Sequence, residues 1–327
     1  MAIAVRSFAK INIGLRIGPL RPDRFHELRT VYQTLAIHDV LRIEVRRGDA
    51  IEIHCDHPGV PTNETNTCWR ITERVLKALD LRRSIRITIE KNLPIQGGLG
   101  AASSNGVATL LALEKALRKP LAARDRLRIA GEVGSDLPLF LVGGTVLGIG
   151  RGEQVYPLED LPSVPCVVAT PPVGVSTPVA FADWDKNLAG SGKLTGGPPF
   201  DRMTMFSDSV YEWLNGVIGS TTGVPANARD RAEALLLGLV RTGIENDFES
   251  VVFPMYPVIG EVKRVLASAG ARYASLSGSG STVYGLFRDR ESARKGAQAV
   301  KAAGVAAAIT TTATLRRADY WNHLFME

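Results

Sequence analysis

Alternating apolar and polar residues dominate the first part of the chain. Three runs rich in β-forming residues, AIAVRSFAKINIGLRI, LRTVYQTLAI and DVLRIEVRRGDAIEIHC, are separated by turn residues. This pattern predicts the strands and hairpins of an antiparallel sheet. A further strand is predicted in SIRITIEKNLPI, where Ile85, Ile87 and Ile89 alternate with polar residues before Pro94 ends the run.

Helical spacing begins after these runs. A first helix is predicted with Asn66 or Thr67 as N-cap, and its apolar face would consist of Trp69, Ile71, Val75, Leu76 and Leu79. Further helices are predicted at residues 103–117, 207–217, 229–241, 246–253, 257–269 and 290–303. Residues 185–204 are rich in Gly, Pro and polar residues, which predicts a flexible loop.

The C-terminal half adds a second group of strands. VPCVVATPP is predicted to be a buried strand, YASLSGSGSTVYGLF to be two strands around a glycine-rich turn, and residues 306–314 to be a last strand. This order is typical of an α+β fold with helices on one face of a mixed sheet. A chain of 327 residues usually divides into two domains, which we place at residues 1–157 and 158–327.

Composition and charge narrow the class of protein. With 45% hydrophobic and 22% charged residues, the chain has the profile of an ordinary globular protein. A net charge of +6 suits any anionic partner, but the basic residues are scattered and not interleaved with aromatics, so no nucleic acid partner is expected. The sequence shows no signal peptide pattern and no run of eighteen apolar residues, so no membrane association is expected. Three well-separated cysteines favour a reducing, cytoplasmic location.

The stretch PIQGGLGAASSNG lies between a predicted strand and a predicted helix. Backbone N–H groups at such a helix N-terminus, the helix dipole and the missing Cβ atoms of Gly97, Gly98 and Gly100 together suit a phosphate group. Ser103 and Ser104 can cap the helix, and they can also offer hydroxyl groups to phosphate or Mg²⁺. The stretch lacks the endings of a Walker A loop and of a dinucleotide turn. A tight turn with a serine N-cap is the alternative interpretation.

A second glycine-rich element, SLSGSGST, spans residues 275–282 between two predicted strands. Taken alone it is compatible with an ordinary glycine hairpin. With one such loop in each predicted domain, a cleft lined by backbone donors becomes a reasonable hypothesis. A polyanion fits a cleft of that kind.

Two charged residues stand in apolar surroundings, where a lone charge is costly. Lys10 lies within the apolar strand FAKINIGL, and Asp136 lies between a helix end and the apolar run LPLF. If the two meet, Asp136 can orient or deprotonate a hydroxyl group, while Lys10 offsets charge on a transferred phosphoryl group. An edge-strand lysine and an N-cap aspartate are the alternative interpretations.

Three segments resemble, in order along the chain, the three motifs of the GHMP kinases. They are FAKINIGL (8–15), LPIQGGLGAASSNG (93–106) and SLSGSGSTV (275–283). This small-molecule kinase family includes galactokinase, homoserine kinase, mevalonate kinase and phosphomevalonate kinase. The resemblance implies an α+β protein with an N-terminal domain like the second domain of ribosomal protein S5 and a ferredoxin-like C-terminal domain. The active site would lie in the cleft between them, with ATP and Mg²⁺ as cofactors.

One branch of the family is more similar than the others. RPDRFHELRTVYQTL resembles the RxDGYHEL segment of kinases that phosphorylate 4-diphosphocytidyl-2-C-methyl-D-erythritol on its 2-hydroxyl, in the non-mevalonate route to isoprenoid precursors. Three further segments are similar to sequences of the same branch: GSDLPLFLVGG, GVSTPVAF and ENDFE. The implied partners are therefore ATP and a cytidine diphosphate sugar alcohol, and the implied assembly is a monomer or a weak homodimer.

The resemblance also implies roles for individual residues. Asp136 would be the catalytic base and Lys10 its charged neighbour. His26 would read the cytosine edge. The acceptor would be held by Asn12, Phe25, His26, Thr177, Phe181, Gly278 and Gly280. The ATP side would be formed by Asn66, Thr67, Lys91, Pro94, Gly97, Gly98, Leu99, Gly100, Ala101, Ala102, Ser103 and Ser104.

The chain departs from the family pattern at several positions. Arg24 stands where the family usually has glycine, and Phe25 where it usually has tyrosine. Ala101 and Ala102 replace glycines, so the loop is expected to bend at the three glycines before them. The C-terminal LRRADYWNHLFME matches no motif that we can assign.

Two other functions remain open from the residues alone. One is a related kinase with a different acceptor, such as homoserine or mevalonate, although neither acceptor needs the aromatic and histidine pair Phe25 and His26. The other is a catalytically silent module that binds nucleotide through the glycine loops, against which the retention of both Lys10 and Asp136 speaks. Phe25 and Phe181 can also be core aromatics, and His26 a structural histidine.

Overall fold

Two β-sheets with helices packed on them make up the computed structural model, which describes residues 2–191, 199–218 and 228–327. The first sheet contains β1 (Ala2–Leu20), β2 (His26–Arg46), β3 (Ile51–Cys55), β4 (Ser84–Glu90), β5 (Thr145–Gly150) and β6 (Gln154–Pro157). The second contains β7 (Pro165–Thr170), β8 (Tyr273–Leu276), β9 (Val283–Leu286) and β10 (Ala308–Ala313). The α+β class expected from the sequence is confirmed.

The helices lie between and after these strands. They are α1 (Thr67–Ala78), α2 (Ala101–Leu117), α3 (Ala123–Val133), α4 (Leu137–Phe140), α5 (Thr177–Ser191), α6 (Pro199–Ile218), α7 (Ala228–Arg241), α8 (Glu249–Met255), α9 (Pro257–Ser268), α10 (Arg290–Ala303) and α11 (Arg317–Asn322). None of them, within the described ranges, is long and apolar enough to cross a bilayer.

The first sheet is mixed rather than antiparallel. Its order is β3, β4, β2, β5, β6, with β1 also paired to β2. The three N-terminal runs form two long antiparallel strands and the short β3, which pairs in parallel with β4. The prediction of a purely antiparallel sheet was wrong because α1 connects β3 to β4 as a crossover, and a crossover helix joins parallel strands.

The N-terminus of one helix agrees with the sequence expectation, and that of another differs. The Asn66 side chain accepts a hydrogen bond from the Cys68 N–H at 2.8 Å, which confirms Asn66 as the N-cap of α1. Helix α2 begins at Ala101, however, and its N-cap is Gly100, with no side-chain capping bond. Ser103 and Ser104 therefore lie inside the first turn, and the prediction that they cap the helix was wrong.

Residues 185–204 are not one loop. The end of α5 and the start of α6 occupy the two ends of this range, and residues 192–198 lie outside the described part of the chain. The helical ends follow from burial: Trp184 on α5 and Met203 and Phe206 on α6 are buried. Such anchoring overrides the weak helix propensity of the glycines.

Two apolar clusters contain residues of both sheets. One of them joins Ile11 and Val31 of the first sheet to Val168 and Tyr284 of the second. The Tyr284 hydroxyl also donates to the Asn12 carbonyl at 2.8 Å, which links β9 directly to β1. The loop between β8 and β9 is thereby held beside the middle of β1.

The unassigned C-terminal segment packs back on the first sheet. The buried Tyr320 of α11 donates its hydroxyl to the Phe140 carbonyl at 2.7 Å, and the Trp321 indole donates to the Val142 carbonyl at 3.0 Å. The Arg6 N–H donates to the Leu324 carbonyl at 2.7 Å. This segment therefore braces α4, which follows Asp136 in the chain.

Candidate active site

A cavity of about 560 Å³ opens beside β1, and residues from both halves of the chain line it. This volume lies in the usual range of small-molecule sites. The N-terminal half contributes β1, the start of α1, the first glycine loop and Asp136. The C-terminal half contributes Thr177 and Phe181 of α5, Phe248, Gly278 and Ser279.

The two glycine-rich loops touch each other in the wall of this cavity. Gly98 has a φ of +75°, and a Cβ atom there would lie 2.1 Å from the Ser277 carbonyl oxygen. A Cβ atom on Gly97 would lie 2.6 Å from the Thr282 hydroxyl, and the Thr282 N–H donates to the Gly97 carbonyl at 3.1 Å. Gly98 therefore allows the two backbones to meet, and a larger residue at Gly97 would collide with the Thr282 side chain.

The first glycine loop presents a helix N-terminus to the cavity. Gln96, Gly98 and Gly100 all have positive φ, whereas Ala101 and Ala102 are helical. The two alanines therefore have the negative φ that the sequence analysis required of them. Of the three glycines expected to form the bend, Gly98 and Gly100 have positive φ, and Gln96 has positive φ in place of Gly97. The residues from Gly97 to Ser103 line the cavity. The first N–H groups of a helix lack intrahelical partners, and together with the helix dipole they favour an anion.

Lys10 lies against this loop and is almost fully buried. Its Nζ donates to the Asn12 Oδ1 at 2.6 Å and to the Gly98 carbonyl at 2.8 Å, and lies 3.4 Å from the Asp136 Oδ2. Burial lowers the pKa of Lys10 below 10.5, and the nearby Asp136 carboxylate opposes this shift. Burial of the side chain excludes the interpretation of an edge-strand lysine.

Asp136 directs its carboxylate at the cavity instead of capping a helix. It occupies the N-cap position of α4 but makes no side-chain capping bond. Its side chain is 35% exposed, and one oxygen faces Lys10. The two charged residues that stood alone in the sequence thus meet in space, with one side of the carboxylate open to a ligand.

Tyr32 is a site residue that sequence reasoning missed. Its hydroxyl donates to the Asp136 Oδ1 at 3.1 Å, and Lys10 Nζ lies 5.8 Å from the centre of its ring. Burial first, and then the Asp136 charge, raise the pKa of Tyr32 well above 10.0. The phenol therefore remains a protonated donor at neutral pH.

Aromatic side chains line the far end of the cavity. The His26 and Phe181 rings are parallel, with their centres 5.0 Å apart, and His26 Nε2 lies 2.9 Å from Asp185 Oδ1. Phe25 is half exposed, and the Arg151 guanidinium lies 4.8 Å from the centre of its ring. This end of the cavity offers flat apolar faces next to polar groups, as a planar heterocycle requires.

Comparisons with known proteins identify the family. The model of the GHMP kinase N-terminal domain matches residues 66–144, and that of the GHMP kinase C-terminal domain matches residues 229–306. A 4-diphosphocytidyl-2-C-methyl-D-erythritol kinase of Solibacter usitatus is 38% identical over 88% of this chain and 81% of its own length. A kinase of the same name from Caldanaerobacter subterraneus is 33% identical over 89% of this chain and 90% of its own length. The chain belongs to the 4-diphosphocytidyl-2-C-methyl-D-erythritol kinase family, within the GHMP kinases.

Solved structures agree with this family. A crystal structure of 4-(cytidine 5'-diphospho)-2C-methyl-D-erythritol kinase has a TM-score of 0.70 and 26% identity, and the match covers 95% of this chain and 98% of that chain. A homoserine kinase from Cytophaga hutchinsonii has a TM-score of 0.72 at 19% identity, over 96% of this chain and 95% of that chain, a likeness of fold alone. As a GHMP kinase, the chain is an ATP-dependent small-molecule kinase.

Most residues expected for a GHMP kinase of this branch line the cavity. On the acceptor and catalytic side these are Lys10, Asn12, Phe25, His26, Asp136, Thr177, Phe181 and Gly278. On the ATP side they are Asn66, Thr67, Lys91, Pro94, Gly97, Gly98, Leu99, Gly100, Ala101, Ala102 and Ser103. The structure brings all of them to one cavity, although they come from distant parts of the chain.

Two expected residues do not reach the cavity wall. Ser104 is 2% exposed, and its N–H donates to the Gly100 carbonyl at 2.8 Å within the helix. Gly280 has a φ of +96° and faces Leu276, so it shapes the turn of the second glycine loop from behind. In this structure both residues support the glycine loops from outside the cavity wall, and their roles toward a ligand stay predictions.

Lys91 reaches the cavity with its ammonium already paired. Its Nζ donates to the buried Asp39 carboxylate at 2.7 Å. Asp39 also accepts from the N–H groups of Asn92 at 2.8 Å and Leu93 at 2.7 Å. Through these bonds, Lys91 and Asp39 together fix the chain just before the glycine loop. The sequence pattern did not reveal that Asp39 is the neighbour of Lys91.

The backbone of Arg24 adopts a conformation that has a lower free energy for glycine than for arginine. Its φ is +66°, in the left-handed region, at the position where the family usually has glycine. We expect Arg24→Gly to raise the free energy of unfolding by about 0.5–1 kcal/mol, because the left-handed strain exceeds the entropy cost of glycine. Urea unfolding measures this difference.

A matched control is Arg47→Gly, at an exposed position without positive φ, which is expected to lower stability. Equal losses in both variants would contradict the interpretation of strain at Arg24.

Proposed function

We propose that the protein transfers the γ-phosphoryl group of ATP to the 2-hydroxyl of 4-diphosphocytidyl-2-C-methyl-D-erythritol. The observation that carries the proposal is the Lys10 and Asp136 pair, which lines the same cavity as the glycine loops and the aromatic residues around His26. The relatives named above bear the name of this activity. Isoprenoid precursor biosynthesis is the corresponding role.

The donor phosphates would bind at the N-terminus of α2. The glycine loop leaves the backbone there open to close approach, and Lys10 adds a positive charge beside Gly98. Asn66, Thr67 and Lys91 line the same side of the cavity, near the nucleoside in this proposal. Much of the rate acceleration would come from holding donor and acceptor in line.

Asp136 would receive the proton of the acceptor hydroxyl. As the oxygen of that hydroxyl bonds to the γ-phosphorus, the bond from phosphorus to the β,γ-bridging oxygen breaks and ADP leaves. Lys10 would offset the charge on the transferring group. The hydrogen bonds that it donates to Asn12 and to the Gly98 carbonyl hold it in place. Asn12 is in turn fixed by its donation to the Thr30 hydroxyl at 2.8 Å.

Mg²⁺ fits the oxygen groups that face this cavity. The Ser103 hydroxyl and the Asp136 carboxylate both belong to its wall. Nowhere in the described segments do three or more His, Cys, Asp or Glu side chains form a group that could hold a metal. Mg²⁺ needs no such cluster, since it usually keeps several waters and binds through one or two protein oxygens and substrate phosphates. When bound, it would neutralise phosphate charge.

The aromatic pocket would bind the cytosine. His26 would hydrogen-bond the edge of the base, and the rings of Phe25 and Phe181 would cover its faces. Asp185 supports His26 from behind, and Thr177, bonded to the Ser279 hydroxyl at 2.7 Å, would contact the sugar alcohol.

We also propose a domain boundary near residue 157. Strands of the first sheet end at Pro157, and those of the second begin at Pro165. A cytosolic location and a monomer or weak homodimer complete the proposal.

A coupled assay of ADP release tests the proposed acceptor. Wild-type protein receives ATP, Mg²⁺ and one of three acceptors: the cytidyl compound, homoserine or mevalonate. We expect turnover with the cytidyl compound alone. Turnover with homoserine or mevalonate instead would assign a different kinase activity. Tight ATP binding without any turnover would favour a nucleotide sensor.

The pH dependence of the enzyme follows from Lys10. Because burial lowers its pKa below 10.5, the ammonium loses its proton at a lower pH than a free lysine does. We therefore expect kcat/KM for ATP, which reports the free enzyme, to fall with rising pH before pH 10.5 is reached. A profile that stays flat up to that pH would contradict a catalytic need for the charged form.

A further inference from the structure

The β5 and β6 hairpin leaves space for the side chain of Tyr32. A Cβ atom on Gly148 would lie 2.4 Å from the Tyr32 ring, and one on Gly152 would lie 2.4 Å from its hydroxyl oxygen. Gly152 also has a φ of +97°. Two glycines on one hairpin thus admit a buried phenol that points at the active site.

The two oxygens of the Asp136 carboxylate have different partners. Oδ1 accepts from the Tyr32 hydroxyl at 3.1 Å, and Oδ2 lies 3.4 Å from the Lys10 ammonium. Asp136 belongs to a turn and makes no capping bond, so α4 does not fix its side chain. The Tyr32 and Lys10 contacts together determine how the carboxylate is rotated.

We infer that Tyr32 is a positioning residue for the phosphoryl transfer. Its hydroxyl holds Asp136 Oδ1, so that Oδ2 faces both Lys10 and the acceptor hydroxyl whose proton it receives. This role rests on the proposed function. It differs from the role of Lys10, because Tyr32 acts on the base and not on the phosphoryl group.

Tyr32→Phe tests this role, since it removes only the hydroxyl and keeps the ring in its pocket. We expect kcat with the cytidyl acceptor to fall about 5- to 20-fold, while KM for ATP and for the acceptor stay within about twofold. Loss of a merely structural bond would not separate kcat from KM in this way.

Tyr273→Phe is the matched control. It also removes a partly buried tyrosine hydroxyl bond, the donation to the Ile244 carbonyl at 2.8 Å, but at a residue outside the cavity wall. We expect its kcat to stay at the wild-type value. An unchanged kcat in Tyr32→Phe, or an equal loss in both variants, would overturn the inference.

A second measurement does not depend on turnover. We expect Tyr32→Phe to lower the urea midpoint of the wild type but to change it less in an Asp136→Ala background, because the hydroxyl then has no carboxylate to hold. Additive changes would overturn the inference. If the wild type shows no kinase activity, the proposed function fails, and this cycle still decides whether Tyr32 holds Asp136.

Discussion

Replacing Asp136 with asparagine is expected to lower kcat by roughly 10²-fold or more, while the dissociation constant of ATP changes by no more than about threefold. Asparagine has nearly the same size, but it cannot receive a proton from the acceptor hydroxyl. ATP affinity is retained because the phosphates are held by the N-terminus of α2 and not by this carboxylate. Steady-state kinetics and calorimetric titration with ATP measure the two quantities.

The control for this change is Asp125→Asn on α3. The Asp125 side chain is 45% exposed and, among the residues that the structure describes, pairs with Arg128 in the same helix. Its replacement is expected to leave kcat unchanged, since exposed pairs of this kind contribute little. Near-normal turnover of Asp136→Asn would remove Asp136 from the role of base.

Replacing Lys10 with methionine is expected to lower kcat by about 10²-fold or more, because the transferring phosphoryl group loses a buried charge aimed at it. The melting temperature, in contrast, is expected to fall by no more than about 3 °C, or to rise. Kinetics and thermal unfolding of the same preparation test both parts.

The sign of the stability effect follows from the pKa of Lys10. Folding lowers this pKa, so the charged ammonium is less favourable in the folded state than in the unfolded state at neutral pH. That destabilisation is fully present below the lowered pKa and disappears as the pH rises from there to 10.5. Removing the charge therefore relieves an unfavourable contribution at neutral pH, although the Asn12 and Gly98 oxygens lose a donor.

Lys295→Met on α10 is the control, since Lys295 is exposed and, within the described part of the chain, its ion pair is with Glu291 in the same helix. Normal activity is expected. A large loss of stability in Lys10→Met, with normal turnover of the protein that remains folded, would show that Lys10 serves the fold and not the reaction.

Local patterns in the sequence were sufficient for much of this site. Periodicity located α1 and β4, and the glycine-rich segments marked both loops that line the cavity. Lys10 and Asp136 stood out because each is a charge in apolar surroundings. Such features depend on a few neighbouring residues, and backbone conformation follows directly from them.

Contacts that depend on strand register were not visible in the sequence. Tyr32 faces the site because Asn12 pairs with it across β1 and β2, yet the register of that pair shifts at irregularities between Phe8 and Lys10 and between Ile13 and Leu15. A shift of one residue turns a side chain to the other face of a sheet. The hydrogen bond from Tyr32 to Asp136 is therefore a product of the tertiary fold.

Long-range burial accounts for the other differences. Lys91 was expected to lie near the nucleoside and it lines the cavity, but the sequence pattern did not show that its ammonium pairs with Asp39, which is distant in sequence. The range 185–204 was expected to be a loop, but Trp184 and Phe206 anchor helices at its ends. Burial decides both features, and the composition of a short segment does not show which of its residues will be buried.

The most direct test of the account is a crystal structure of the protein with the cytidyl acceptor and a non-hydrolysable ATP analogue. The account predicts that the 2-hydroxyl oxygen of the acceptor lies about 2.6–3.2 Å from an Asp136 carboxylate oxygen, with the γ-phosphate at the N-terminus of α2 in line with it. An acceptor whose 2-hydroxyl contacts a different residue, or a triphosphate bound away from the loop of Gly97 to Gly100, would contradict it.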